Sequence, residues 1–205
     1  MEKQTSLAIF SGGFANVLEE QWQVDVQLKA GDSDDGATIS AHKLVLAARS
    51  KVFRKMLEQD ESKASLGMEI ITLSEMKHEE VKALVEFLYS DGTMPCEEMH
   101  ARSLYLAADK YEIPHLRNLC RNQLISSLNL SNALDILELA QIPFDNALND
   151  AALVFIKTNI SKIVSSDELK LFAASNPNLT IEIMKASFKR TRNNDYYYCY
   201  SCGRW

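Results

Sequence analysis

The chain has 205 residues, 46% of them hydrophobic, enough for one sizeable core or two small ones. Its formal net charge is −6 and its basic residues form no stripe, which argues against binding to a nucleic-acid phosphate backbone. No run of about 18 apolar residues marks a membrane-spanning helix, and the N-terminus has no long apolar core of the kind a secretory signal needs.

In residues 12–21, Phe14, Val17 and Leu18 fall at i, i+3 and i+4, which predicts a short helix with one apolar face. Residues 23–31 alternate Val24, Val26 and Leu28 with Asp25 and Gln27, the period of a strand. The Gly- and Asp-rich stretch 31–36 is a turn, and "ATISAH" supplies a second strand to complete a hairpin. "AHKLVLAARSKVFRKML" (41–57) then reads as two consecutive helices. Leu44, Val45, Ala48, Val52, Phe53 and Met56 keep helical spacing, and Ser50 caps the second. Residues 59–67 are polar and predict a loop, and 68–73 form a third strand rich in β-branched side chains. Val81, Leu84, Val85 and Leu88 mark the next helix, closed by Gly92.

Beyond residue 100 the pattern is helical throughout. Helices are predicted over 100–111, 113–128 with Pro114 in its first turn, 129–141 capped by Ser131 or Asn132, 144–164, 166–175 and 176–190. Strands come first and helices later, so the fold class is α+β with a helical extension.

Reactive residues form no recognisable constellation. His42, His78, His100 and His115 show no metal-ligand spacing, and no nucleophile elbow, P-loop or dinucleotide fingerprint is present. His42, beside an apolar face, reads as a hydrogen-bonded structural residue. Cys96, Cys120, Cys199 and Cys202 suggest no disulfide framework, which points to a reducing cytoplasm or nucleus. Cys199 and Cys202 form one pair where a structural zinc needs about four ligands, so no metal site is predicted. The basic run "KRTR" (189–192) reads as a solvated helix end, and the Tyr-rich end of the chain as a disordered terminus. The sequence predicts no catalytic residue and no cofactor.

The order of short motifs carries a family resemblance. Asp25 in the first strand is followed by Ala41-His42-Lys43, Leu46-Ala47-Ala48-Arg49-Ser50, Phe53, Leu88-Tyr89 and Ala107-Ala108-Asp109-Lys110-Tyr111. This order, spread over about 100 residues, resembles the BTB/POZ domain. Residues 129–190 resemble the helical BACK-type extension. The arrangement is similar to small plant BTB proteins and to the BTB–BACK half of the speckle-type POZ protein family. The resemblance divides the chain into an N-terminal helical segment (1–22), a BTB/POZ domain (23–126), a BACK-like extension (127–190) and a tail (191–205).

It also implies a function. Such domains are non-enzymatic interaction modules that homodimerise, and many recruit protein substrates to a cullin-3 ubiquitin ligase. Phe14, Val17 and Leu18 are expected in the dimer interface, unless the chain's own core covers them, together with Asp25, Val45 and Arg49. Arg49 is expected near Asp25 as its opposite charge. Met56, Leu57, Glu61 and Tyr111 are the positions expected to meet cullin-3, with packing of Tyr111 on Pro114 as its alternative role. The loop that follows Leu57 carries Gln59 where the family's hydrophobic-x-Glu motif has an apolar residue. That departure favours the competing reading, an oligomerisation scaffold in transcription or signalling. No substrate-reading domain is recognisable, so the protein substrate stays unidentified.

Overall fold

A computed structural model describes residues 13–32, 37–60, 68–90 and 100–188. The chain divides into two compact units, Met1–Ser127 and Leu128–Trp205.

In the first unit a helix over 13–19 (α1) precedes strands β1 (Val26–Ala30) and β2 (Thr38–Ala41). Helices α2 (Lys43–Arg49) and α3 (Lys51–Asp60) lead to β3 (Glu69–Leu73), then come α4 (His78–Tyr89), α5 (Ala101–Lys110) and α6 (Pro114–Ser126). The three strands form one sheet in the order β2-β1-β3. β1 is antiparallel to β2, with Val26 opposite Ala41, and parallel to β3, with Val26 opposite Glu69. The hairpin and the third strand therefore stand as the sequence predicts. Val26, Leu28 and Ala30 alternate inward from β1, joined by Ile71 and Leu73 of β3, and α4 packs against β1. Val24, the first apolar residue of the predicted strand, lies before it.

Local chemistry fixes the element ends. Ser50 caps α3 by accepting the Phe53 amide at 3.0 Å. At α4, the Lys77 amide donates to Glu80 Oε2 (2.9 Å) and the His78 amide to Asp32 Oδ1 (2.7 Å), so two otherwise orphaned donors meet carboxylates at a helix N-terminus. Gly31 follows β1, where a Cβ would run into the carbonyl oxygen of Ser74. α5 ends on Glu112 in the left-handed region (φ 50°), with the Ile113 amide reaching back to the Ala108 carbonyl at 2.8 Å.

The second unit holds α7 (Ala133–Leu139), α8 (Asn146–Thr158), α9 (Ile160–Ile163), α10 (Asp167–Ser175) and α11 (Pro177–Phe188). α7 packs on α8, and α11 on both α8 and α10, around a core that includes Leu137, Leu148, Ala152, Ile156, Phe172 and Ile183. One sequence reading needs correction here. The helix predicted over 144–164 is interrupted at Asn159, whose side-chain amide donates to the Phe155 carbonyl (3.0 Å) and so competes with helix continuation. Asn132, one of the two predicted caps, does stand at the N-cap of α7 but makes no side-chain cap bond; the turn before α7 is organised by Asn129, whose Oδ1 accepts from Ser131 N and Oγ and from Asn132 N. Gly92, Cys96, Cys199, Cys202, the "KRTR" run and the Tyr-rich end lie outside the described residues.

Candidate interaction site

His42 organises the start of α2. Its backbone amide donates to the Tyr89 hydroxyl oxygen at 2.7 Å, and its ring Nδ1 lies 2.6 Å from the same oxygen. Having accepted from the amide, Tyr89 has one proton to give, and Nδ1 is placed to accept it. The other ring nitrogen, Nε2, then carries the hydrogen and donates to the Trp22 carbonyl at 2.8 Å. Burial pushes the Tyr89 hydroxyl up to about 12, the His42 backbone donor opposes that rise, and nearby Asp25 adds to it. Both ring nitrogens of His42 are thus engaged in holding α2 against α4 and the Trp22 segment. The structural role predicted for it stands.

The segment held this way turns apolar surface outward. Gln21 and Gln23 both occupy the left-handed region (φ 52° and 53°), and between them Trp22 is 59% exposed. Two residues beyond His42, Leu44 is 78% exposed, whereas Leu46 is the buried residue of α2. Phe14 is also exposed, and Val17, Leu18 and Val45 are half-buried. Of the two ways to cover the α1 stripe, burial in the chain's own core does not account for Phe14. Helical spacing placed Phe14, Val17 and Leu18 on one short helix; it missed Trp22, and it grouped the exposed Leu44 with the buried Phe53 because periodicity does not say which apolar stripe faces the core.

The expected pairing of Arg49 with Asp25 is absent. Asp25 Oδ1 accepts the Lys43 amide at 2.7 Å, at the start of α2, while Arg49 Nη2 donates to the Ser90 carbonyl (3.1 Å) from the other end of that helix. About seven residues at 1.5 Å each separate the two ends, too far for one ion pair. Lys43 instead pairs with Glu69 of β3 at 2.5 Å.

The residues expected to meet cullin-3 divide. Tyr111 is 1% exposed, its ring stacked on Phe53 (centroids 4.6 Å apart, planes 4° off parallel) and its hydroxyl donating to Glu75 Oε1 at 2.6 Å. It is a core residue, not a surface one, and its ring packs on Phe53. Leu57 is buried and Met56 half-buried on α3. Glu61 lies outside the described residues. Burial, together with the Glu75 carboxylate, pushes the Tyr111 hydroxyl well above its ordinary value. Burial raises the Glu75 carboxyl, but hydrogen bonds from Lys110 (2.6 Å) and Tyr111 outweigh it, so its net shift is downward.

This architecture has close counterparts. The model of the BTB/POZ domain matches residues 14–128. The putative BTB/POZ domain-containing protein At2g40450 of Arabidopsis thaliana is 64% identical over 194 residues, covering 93% of this chain and 93% of that protein. The BTB/POZ domain-containing protein At5g48510 of the same plant is 61% identical over 206 residues, covering 99% and 90%. A third, At1g01640, is 45% identical over 192 residues, covering 94% and 91%. With the motifs around His42 and Tyr111 set in this sheet and its helices, and relatives matched almost end to end, the chain belongs to the BTB/POZ domain family, as a small plant-type member of a group whose domains work as protein-interaction modules.

Proposed function

We propose that the protein is a non-enzymatic adaptor that homodimerises and recruits a protein substrate to a cullin-3 ubiquitin ligase, acting in the cytoplasm or nucleus. The observation that carries the dimer is the outward face formed by Trp22 and Leu44, with Phe14 on α1: large apolar side chains on a framework fixed by His42. A two-fold axis would make such a face self-complementary. The adaptor reading rests on family membership and on the half-buried Met56 in the second half of α3, the helix that leads into the expected cullin loop. The helices of the second unit fit the BACK-type extension of the resemblance. An adaptor of this kind supplies no chemistry; it raises the effective concentration of an acceptor lysine near the ligase. Isothermal titration with the cullin-3 N-terminal domain tests the claim, with micromolar binding expected. No binding at that concentration would sink the ligase reading. It would leave an oligomerisation scaffold, the reading favoured by Gln59, which lies in the last turn of α3 rather than in the predicted loop, and by the burial of Tyr111.

A further inference from the structure

Within the second unit, α7 and α10 border a groove of about 330 Å3. Leu130 and Leu171 line it, together with the largely buried ring of Phe172. Leu171 is 72% exposed there, a leucine left in water beside Phe172, the buried residue of α10. The rim is acidic: Asp135 and Glu138 from α7 and Glu168 from α10. No cation lines the groove among the described residues, and none of the three carboxylates makes an ion pair or side-chain hydrogen bond there. Asp135 and Glu138 stand three residues apart on one helix, where like charges repel.

These features specify an occupant from two sides. The exposed leucine asks for an apolar side chain, and the unneutralised rim asks for positive charge. Nucleic acid and anionic lipid surfaces carry the wrong sign, and a second copy presenting this same acidic rim across a two-fold axis would be repelled at the groove. We propose that this groove docks a short basic segment of a partner protein. One apolar side chain sits against Leu171 and Phe172, and flanking Lys or Arg side chains meet Asp135, Glu138 and Glu168. The inference goes beyond the ligase reading by giving the second unit a ligand class, and it uses none of the residues assigned to cullin-3.

The test uses the full chain and fluorescence anisotropy with a labelled peptide of three Lys-Leu-Arg-Ser repeats. Its control replaces Lys and Arg by Glu and Asp. The basic peptide binds with micromolar affinity, the acidic one does not, and binding weakens as salt rises. Asp135→Lys with Glu138→Lys weakens it at least ~tenfold, and Leu171→Ser weakens it by about fivefold. All three side chains are exposed, so the variants keep the fold, which circular dichroism checks. Equal binding of both peptides, no binding, or binding indifferent to these substitutions overturns the proposal. The chain's own basic run supplies a rival occupant. If Lys189→Ala, Arg190→Ala and Arg192→Ala together raise the peptide's affinity by about tenfold, that run fills the groove and the partner claim falls. Titrating the same variants with the cullin-3 domain keeps the two readings separate, since failure there leaves the groove result standing.

Discussion

The Ser50 hydroxyl joins two chain segments 61 residues apart: it donates to the Tyr111 carbonyl at 2.6 Å while accepting the Phe53 amide at 3.0 Å. One buried oxygen thereby caps α3 and satisfies a carbonyl at the end of α5. Ser50→Ala removes both bonds and leaves the Tyr111 carbonyl without this donor in a dry environment. The expected loss is about 2–3 kcal/mol, the sum of a lost cap and an orphaned buried acceptor, read by urea unfolding. A loss below about 0.5 kcal/mol would show that water or another donor replaces the hydroxyl.

Two of the buried tyrosines, Tyr89 and Tyr111, weaken the fold at alkaline pH. Tyr89 ionises near 10 when unfolded and about 12 when folded, and Tyr111 is raised as well. Below 10 both states are protonated and the contribution is intact. Between 10 and 12 the unfolded chain loses protons that the folded chain keeps, so stability falls as pH rises. Tyr89→Phe is expected to flatten the decline of Tm with pH across this window, at some cost in stability at neutral pH because His42 loses its partner. An unchanged slope would assign the alkaline loss to other groups.

Glu75 acts at the opposite end. Its folded pKa lies below the ordinary carboxylate value of 4.5, so its contribution is present above that value and is lost as pH falls through the lowered one. Glu75→Gln removes this dependence. The variant's urea midpoint is expected to lie below that of the parent at pH 7, with the two converging at the acid end. A constant gap between them at all pH values would contradict the role of the Lys110 and Tyr111 hydrogen bonds.

The same residues mark how far a sequence can be read. The alternation of Val26 and Leu28 and the helical spacing of Val81, Leu84, Val85 and Leu88 announce their elements because burial imposes the period locally. The Ser50 cap was legible for the same reason: a cap bonds an amide three residues away. The Tyr89–His42 contact spans 47 residues and the Tyr111–Glu75 bond 36, and no local pattern reports either. Tyr111 at the end of a helix was therefore compatible with core and surface alike. The exposure of Leu44 was not legible for a different reason. α2 has seven residues with apolar side chains on several faces, so spacing alone leaves its rotation open until the sheet fixes it. Groups that act across the chain, Asp25 and Arg49 included, were legible as residue types but not as pairs.

The outward face of the first unit makes a prediction for assembly. Leu44→Asp, alone or with Phe14→Asp, Val17→Asp and Leu18→Asp, places charge on a surface proposed to be dry in the dimer. Multi-angle light scattering is expected to give a monomer of 23.1 kDa for the quadruple variant and twice that mass for the parent. Persistence of the dimer would show that another face holds the subunits.

Phe144 offers a stabilising substitution with a mechanism. It follows α7 with φ 50°, in the left-handed region, and the next amide, that of Asp145, reaches back to the Ala140 carbonyl at 2.9 Å. This is the arrangement that ends many helices on glycine. A non-glycine residue held there costs about 1 kcal/mol from the clash of Cβ with its own backbone. The ring gives little in return, since Phe144 is 87% exposed. Asp145 caps α8 through the Leu148 amide, so the bend must be kept, and glycine keeps it. Phe144→Gly is therefore expected to raise stability by up to about 1 kcal/mol, the relieved strain being partly offset by the entropy of the more flexible unfolded chain. Phe144→Ala is the discriminating control: it removes the ring but keeps the strained Cβ, and it should leave Tm nearly unchanged. If alanine and glycine act alike, the effect comes from the exposed ring and not from the backbone. If both destabilise, the ring is packed against something in solution, and Phe144 belongs to an interface.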